Sequence, residues 1–135
     1  MHGFRFDADG WLVIDDNSLG KENNDYADFW PTLQYLAKCR LQTGDLTGAL
    51  HTATMGVAIG IQINRCKGYL GEHEVQAGNV PCRVVRAHVM IRTGRLDEAT
   101  RELDRAQPLA DWGGYSGHAT AIAAARRELK AARAR

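Results

Sequence analysis

The feature that most constrains this chain is a phrase it uses twice. Thr43-Gly44-Asp45-Leu46-Thr47-Gly48-Ala49 returns fifty positions later as Thr93-Gly94-Arg95-Leu96-Asp97-Glu98-Ala99. Each copy follows a stretch with apolar residues at helical spacing, and each opens a second such stretch with Leu-x-x-Ala. A glycine that ends one helix just before another starts makes a helical hairpin. The glycine takes the backbone conformation that closes the first helix, and Leu and Ala three apart begin the buried stripe of the second. Two copies predict two hairpins.

The remaining segments arrange themselves around these. Phe4-Arg5-Phe6 and Trp11-Leu12-Val13-Ile14 flank Asp7-Ala8-Asp9-Gly10, which predicts a small β-hairpin whose Phe4, Phe6, Trp11 and Val13 cover the first helix. Residues 1–25 thus form a hairpin with a polar linker, and 26–135 a helical domain. Its first helix is expected from an Asp28 N-cap, with Pro31 in the first turn and an apolar face of Phe29, Leu33, Leu36, Ala37 and Leu41. The second carries small residues, Leu46, Ala49, Leu50, Ala53, Gly56, Val57 and Gly60, which permit close helix contact. From Ile61 the pattern breaks, and 63–80 reads as a long, polar, glycine-punctuated loop. Pro81 opens a third helix with Val84, Val85, Ala87, His88, Val89 and Ile91. The fourth has the clearest stripe, Leu96, Ala99, Leu103, Ala106 and Ala110, with Pro108 near its end and Asp111–Ser116 as a turn. The fifth runs from Gly117 to about Arg133, with Ile122, Ala125, Leu129 and Ala132 on one side and arginines and lysine on the others, as a terminal cap requires.

The fold class is therefore mainly α: antiparallel helical hairpins, either stacked or in a compact bundle of about five helices, behind a small β-hairpin. A chain of 135 residues suits one domain, and its net charge of +1 gives no bulk attraction to nucleic acid or membrane. The charge is uneven, with seven acidic and two basic side chains in residues 1–30 against nine and fifteen beyond, so the ends attract each other or a partner. The longest apolar run, Met55 to Ile61, is far short of the roughly 20 residues of a membrane span. With no basic stretch and apolar core at the start, and three cysteines lacking C-x-x-C spacing, the expected setting is the reducing cytoplasm.

The pattern Ala-x6-Gly-x-Leu-x-x-Ala, continued at helical spacing, resembles a tetratricopeptide-type repeat. It fits at Ala37, Gly44, Leu46, Ala49, Ala53 and Gly56, and again at Ala87, Gly94, Leu96, Ala99, Leu103 and Ala106. The offset of fifty exceeds the usual repeat of about 34, the proline after the second helix is missing from the first copy, and the bulky aromatic of the second helix is replaced by Ala53 and Leu103. The Ala-rich last helix is similar to divergent repeats in the sensor regions of bacterial, especially actinobacterial, regulators. The resemblance implies a non-enzymatic module that binds a protein or peptide. Gln34, Lys38 and Gln42 recur four apart on one helix face, and fifty residues on they become Val84, His88 and Arg92. In the repeat family these positions line a concave groove. The implied partner carries an acidic segment or a free C-terminal carboxylate, for which Lys38 and Arg92 would donate charge-assisted hydrogen bonds. Two repeats and a cap also imply that the β-hairpin completes the fold or that the chain forms a homodimer.

No catalytic constellation stands beside this. Glu72-His73-Glu74 is not a zincin motif, because Ala77 stands where the second histidine belongs. The histidines and cysteines lack zinc-ligand spacing, and Asp7-x-Asp9-Gly10 lacks the closing glutamate of a calcium loop. No metal or cofactor is expected. Cys66, between Arg65 and Lys67, is the candidate redox-sensitive thiol, since positive charge favours thiolate. The second reading is accordingly a small-ligand or redox sensor in which the 63–80 loop closes over a pocket near Cys66 and His73. Arg126, Arg127, Lys130, Arg133 and Arg135 have no interleaved aromatics and read as a solvated capping face, not a nucleic-acid surface.

Overall fold

A computed structural model describes residues 5–6, 12–13, 25–67, 79–113 and 116–135 of the chain, with side chains in 32–59, 79–111 and 117–135. Gly44 and Gly94 do what the repeated phrase requires, with φ of 85° and 80°. In each copy the residue after the glycine donates its N–H five residues back, Asp45 to the Arg40 carbonyl at 2.9 Å and Arg95 to Met90 at 2.8 Å. The glycine itself donates three back, Gly44 to Leu41 at 3.1 Å and Gly94 to Ile91 at 3.2 Å. This paired closure satisfies carbonyls that a helix end leaves open. The next helix starts differently in the two copies. Asp45 caps the first by accepting from the Gly48 N–H at 2.9 Å, whereas Arg95 pairs with the Glu98 carboxylate.

Five helices result among the described residues: α1 Asp25–Gln42, α2 Leu46–Lys67, α3 Val80–Arg92, α4 Leu96–Gly113 and α5 Ser116–Arg133. Two-residue strands β1 Arg5–Phe6 and β2 Leu12–Val13 pair antiparallel, Arg5 opposite Val13. The turn between them, their side chains, and residues 68–78 lie outside the described residues, as do Phe4, Trp11 and His73.

Three boundaries correct the sequence reading. The first helix begins at Asp25 rather than Asp28. Pro31 therefore lies beyond its first turn, where its missing N–H leaves the Ala27 carbonyl without its usual donor. The expected loop at 63–80 is shorter, because α2 continues to Lys67 and carries Cys66 in its last turn. α4 also continues through Pro108 to Gly113, so Trp112 and Gly113 are helical rather than part of a turn. Leu109 and Ala110 beyond the proline still pack on the core and hold the helix together past the lost bond to Asp104.

Packing follows chain order. α1 lies on α2 and α3 on α4, α2 meets α3, α4 meets α5, and α3 also touches α1 and α5. One core gathers Val80, Val84, Ala87, Met90 and Ile91 of α3 with Ala99, Leu103, Ala106 and Ala110 of α4 and Ile122, Ala125 and Leu129 of α5. The other joins Ala37 of α1 and Ala49, Ala53 and Val57 of α2 to Cys82, Val85 and Val89 of α3. α3 thus belongs to both cores. The expected stripes of α4 and α5 are the ones buried.

Small residues set the spacing between α2 and α3. A Cβ at Gly56 would stand 2.6 Å from Cys82 Sγ, and the next atoms, Cys82 Cβ and Leu33 Cβ, lie at 3.6 and 3.9 Å. Burial pushes the Cys82 thiol up to about 12, against the opposing pull of Lys38, Arg86 and Arg83, so this cysteine is a neutral packing group. Gly56→Ala should therefore destabilise by roughly 1–3 kcal/mol through overpacking, despite a helix-propensity gain of about 1 kcal/mol. In a Cys82→Ala background the same change should be neutral or stabilising, because the remaining contacts are ordinary. Urea melts of the four proteins check this, and equal penalties in both backgrounds would mean that Cys82 does not set the spacing.

Candidate functional site

The first helices of the hairpins, together with α5, line a cavity of about 330 Å³. α1 supplies Lys38, Leu41 and Gln42, α3 supplies Pro81, Val84, Val85 and His88, and α5 supplies Gly117, His118 and Ala121. The helical period explains the set. Lys38 and Gln42 are four apart on α1, and Val84 and His88 are four apart on α3 at the matching register. Four of the six groove residues expected from the repeat are thus brought together. Gln34 belongs to the same face of α1 but does not line the cavity. Val84 also lies in the core, so it lends the groove an apolar floor rather than a polar contact.

Arg92, the sixth, is engaged from across the groove. Its Nε donates to Glu128 Oε1 at 3.0 Å, and His88 Nδ1 lies 2.5 Å from Glu128 Oε2. One carboxylate from α5 therefore holds two of the expected ligand contacts. Burial works against its charge, but hydrogen bonds from Arg92 and His88, and their positive charge, hold the Glu128 carboxyl below its usual range. The sequence pattern missed this residue because Glu128 lies forty residues from His88 and outside the repeated phrase. Its position between Arg127 and Leu129, at the edge of the α5 stripe, is the only local hint.

At the other end of the cavity stand Lys38 and His118. Lys38 has no carboxylate partner among the described residues, and its side chain is exposed. Burial, and then the Lys38 ammonium, lower the pKa of His118, so its imidazole is neutral at pH 7. No acidic side chain lines the cavity itself. Its polar groups can donate to an anion while Leu41, Pro81, Val85 and Ala121 offer apolar surface.

The other candidates are dispersed. Cys66 is helical, with its side chain outside the described residues, and Cys39 lies half-buried on α1. No group of three metal-ligating side chains occurs among the described residues, and no described helix is long and apolar enough to cross a membrane. The basic face of α5 is partly tied down: Arg126 pairs with Asp104 at 3.2 Å and Arg133 with Asp97 at 3.5 Å, both on α4. Compared with protein-family models, with curated proteins and with solved structures, the chain matches none.

Because the folded state favours ionised Glu128, its contribution to stability is present above the ordinary glutamate range and lost as pH falls through the lower folded value. Glu128→Gln should cost about 1 kcal/mol at neutral pH, between the values for exposed pairs and buried charged hydrogen bonds. The difference should close below about pH 4. Thermal melts across pH 3–8 test this; a gap that persists at the acid end would place the stabilisation elsewhere.

Proposed function

We propose that the chain is a non-enzymatic interaction module: a short stack of tetratricopeptide-like hairpins whose first helices form a groove for an acidic partner segment or C-terminal carboxylate. The order of packing supports the repeat reading. Each hairpin's two helices pair, the second helix of one meets the first of the next, and successive first helices adjoin. α5 then stands as the first helix of a third unit. The observation that carries the functional reading is the cavity itself, lined by all three first helices and supplied at one end with an ammonium that has no described carboxylate partner. Arg92 has a structural role in this reading, and Lys38 is the anchor for the ligand's charge. The β1–β2 pair, whose β2 strand lies against α2 and not against α1 as the sequence suggested, would complete the first unit, or a second copy of the chain would do so.

A second reading has its own support. A partly open volume near 330 Å³ is at the small end of ligand pockets and suits a compact amphipathic anion as well as the end of a peptide. In this form the sensor reading moves from the loop after α2 to the groove.

Lys38→Glu should abolish capture of the native partner from host extract while leaving helicity and melting temperature unchanged, because Lys38 is exposed and outside both cores. Undiminished capture would exclude the Lys38 end of the groove. A melting screen of the parent with small carboxylates separates the two readings: a saturable rise that is lost in Lys38→Glu favours a small anion over a peptide.

A further inference from the structure

Glu128 fixes which way the imidazole of His88 can bond. Its carboxylate receives Arg92 Nε on Oε1 at 3.0 Å and stands 2.5 Å from His88 Nδ1 through Oε2. Burial opposes the charge of Glu128, but the hydrogen bonds from Arg92 and His88 prevail and keep it ionised. An ionised carboxylate can only accept, so Nδ1 carries the proton. A neutral imidazole donates from one nitrogen and accepts at the other, which leaves Nε2 with its lone pair. His88 lines the groove and Glu128 does not, so the edge of the ring away from Nδ1 is the one left for a ligand.

At the Lys38 end the character is reversed. Lys38 brings an ammonium, and Gly117 and His118 lie in the first turn of α5, whose N–H groups have no partner within the helix. Both favour negative charge there. Nothing on the wall would balance a ligand ammonium, since no acidic side chain lines the cavity. Gln42 can turn either end of its amide to a ligand and so does not discriminate.

We propose that the groove selects a small aliphatic carboxylic acid that also carries a neutral hydrogen-bond donor, a hydroxyl in the simplest case, and that His88 Nε2 is the acceptor that makes this choice. The proposal rests on the small-anion reading of the groove and adds to it the ligand's second polar group. Glu128 is a positioning residue, which holds the ring and its tautomer without touching the ligand. A carbonyl in place of the hydroxyl would set lone pair against lone pair and leave both acceptors without a proton.

The test follows the melting of the full chain at about pH 8.5, well above the ordinary histidine range, in isovalerate and isocaproate and in their α-hydroxy, α-keto and α-amino counterparts. The hydroxy acids should bind about tenfold tighter than keto acids of the same size, and tighter than the amino acids. His88→Phe keeps a ring without an acceptor and should bring hydroxy and keto acids within about twofold of each other. Glu128→Gln should reverse the preference. With Arg92 taking the amide oxygen, the amide nitrogen donates to Nδ1 and the ring proton moves to Nε2, whereas a merely structural role would weaken both acids alike. The parent's own preference decides the matter even if His88→Phe folds poorly. Equal binding of hydroxy and keto acids by the parent, or a preference unchanged in either variant, overturns the proposal while the small-anion reading stands. No saturable rise with any of the acids overturns both.

Discussion

α3 is a wall with a core on each side, and the rest of the fold depends on its being apolar in two directions. Val80, Val84, Ala87 and Ile91 face α4 and α5, while Cys82, Val85 and Val89 face α1 and α2. A helix of thirteen residues can do this only if little of its surface remains for water, and eight of its residues are in fact buried. What remains is divided between two narrow polar strips. One carries His88 and Arg92 toward Glu128, and the other carries Arg83 and Arg86 toward Glu102, a buried carboxylate of α4. Both strips therefore follow from one constraint.

Close approach is the other half of that constraint. Ala37, Ala49 and Ala53 in the first hairpin, and Ala87, Ala99 and Ala106 in the second, are fully buried, so the helices meet across small side chains. Gly56 extends the same logic to the junction between hairpins, where Cys82 fills the space a side chain would need. Asn79, at the start of α3, reaches back to the Val57 carbonyl and ties the two hairpins at a buried point.

What could be read from the sequence was what repeats with a local cause. Gly44 and Gly94 were legible because only a glycine closes a helix so readily with positive φ, and the α4 stripe because its period is 3.6 residues. Lys38, Gln42, Val84 and His88 were legible as a set because a fixed offset of fifty carries one helix face onto the next. The extension of α2 to Lys67 was hidden because its last turns carry polar residues in place of the apolar stripe. Pro108 signalled a stop that tertiary contact at Leu109 and Ala110 overrides. The roles of Thr52, which accepts from Arg40, and Glu102, which accepts from Arg83, were invisible as single residues, though the same offset relates them and marks a recurring polar place inside each hairpin. Glu128 was beyond local reading, since its partners come from another hairpin.

The claim that α3 is the common wall is tested most directly by native-state hydrogen exchange, which resolves the opening free energy of each helix. If the two cores share α3, the amides of Val85 to Ile91 should be the slowest in the chain and should exchange only with global unfolding. Slower exchange in α2 or α5 than in α3, or an α3 that opens while either hairpin partner stays protected, would contradict the account.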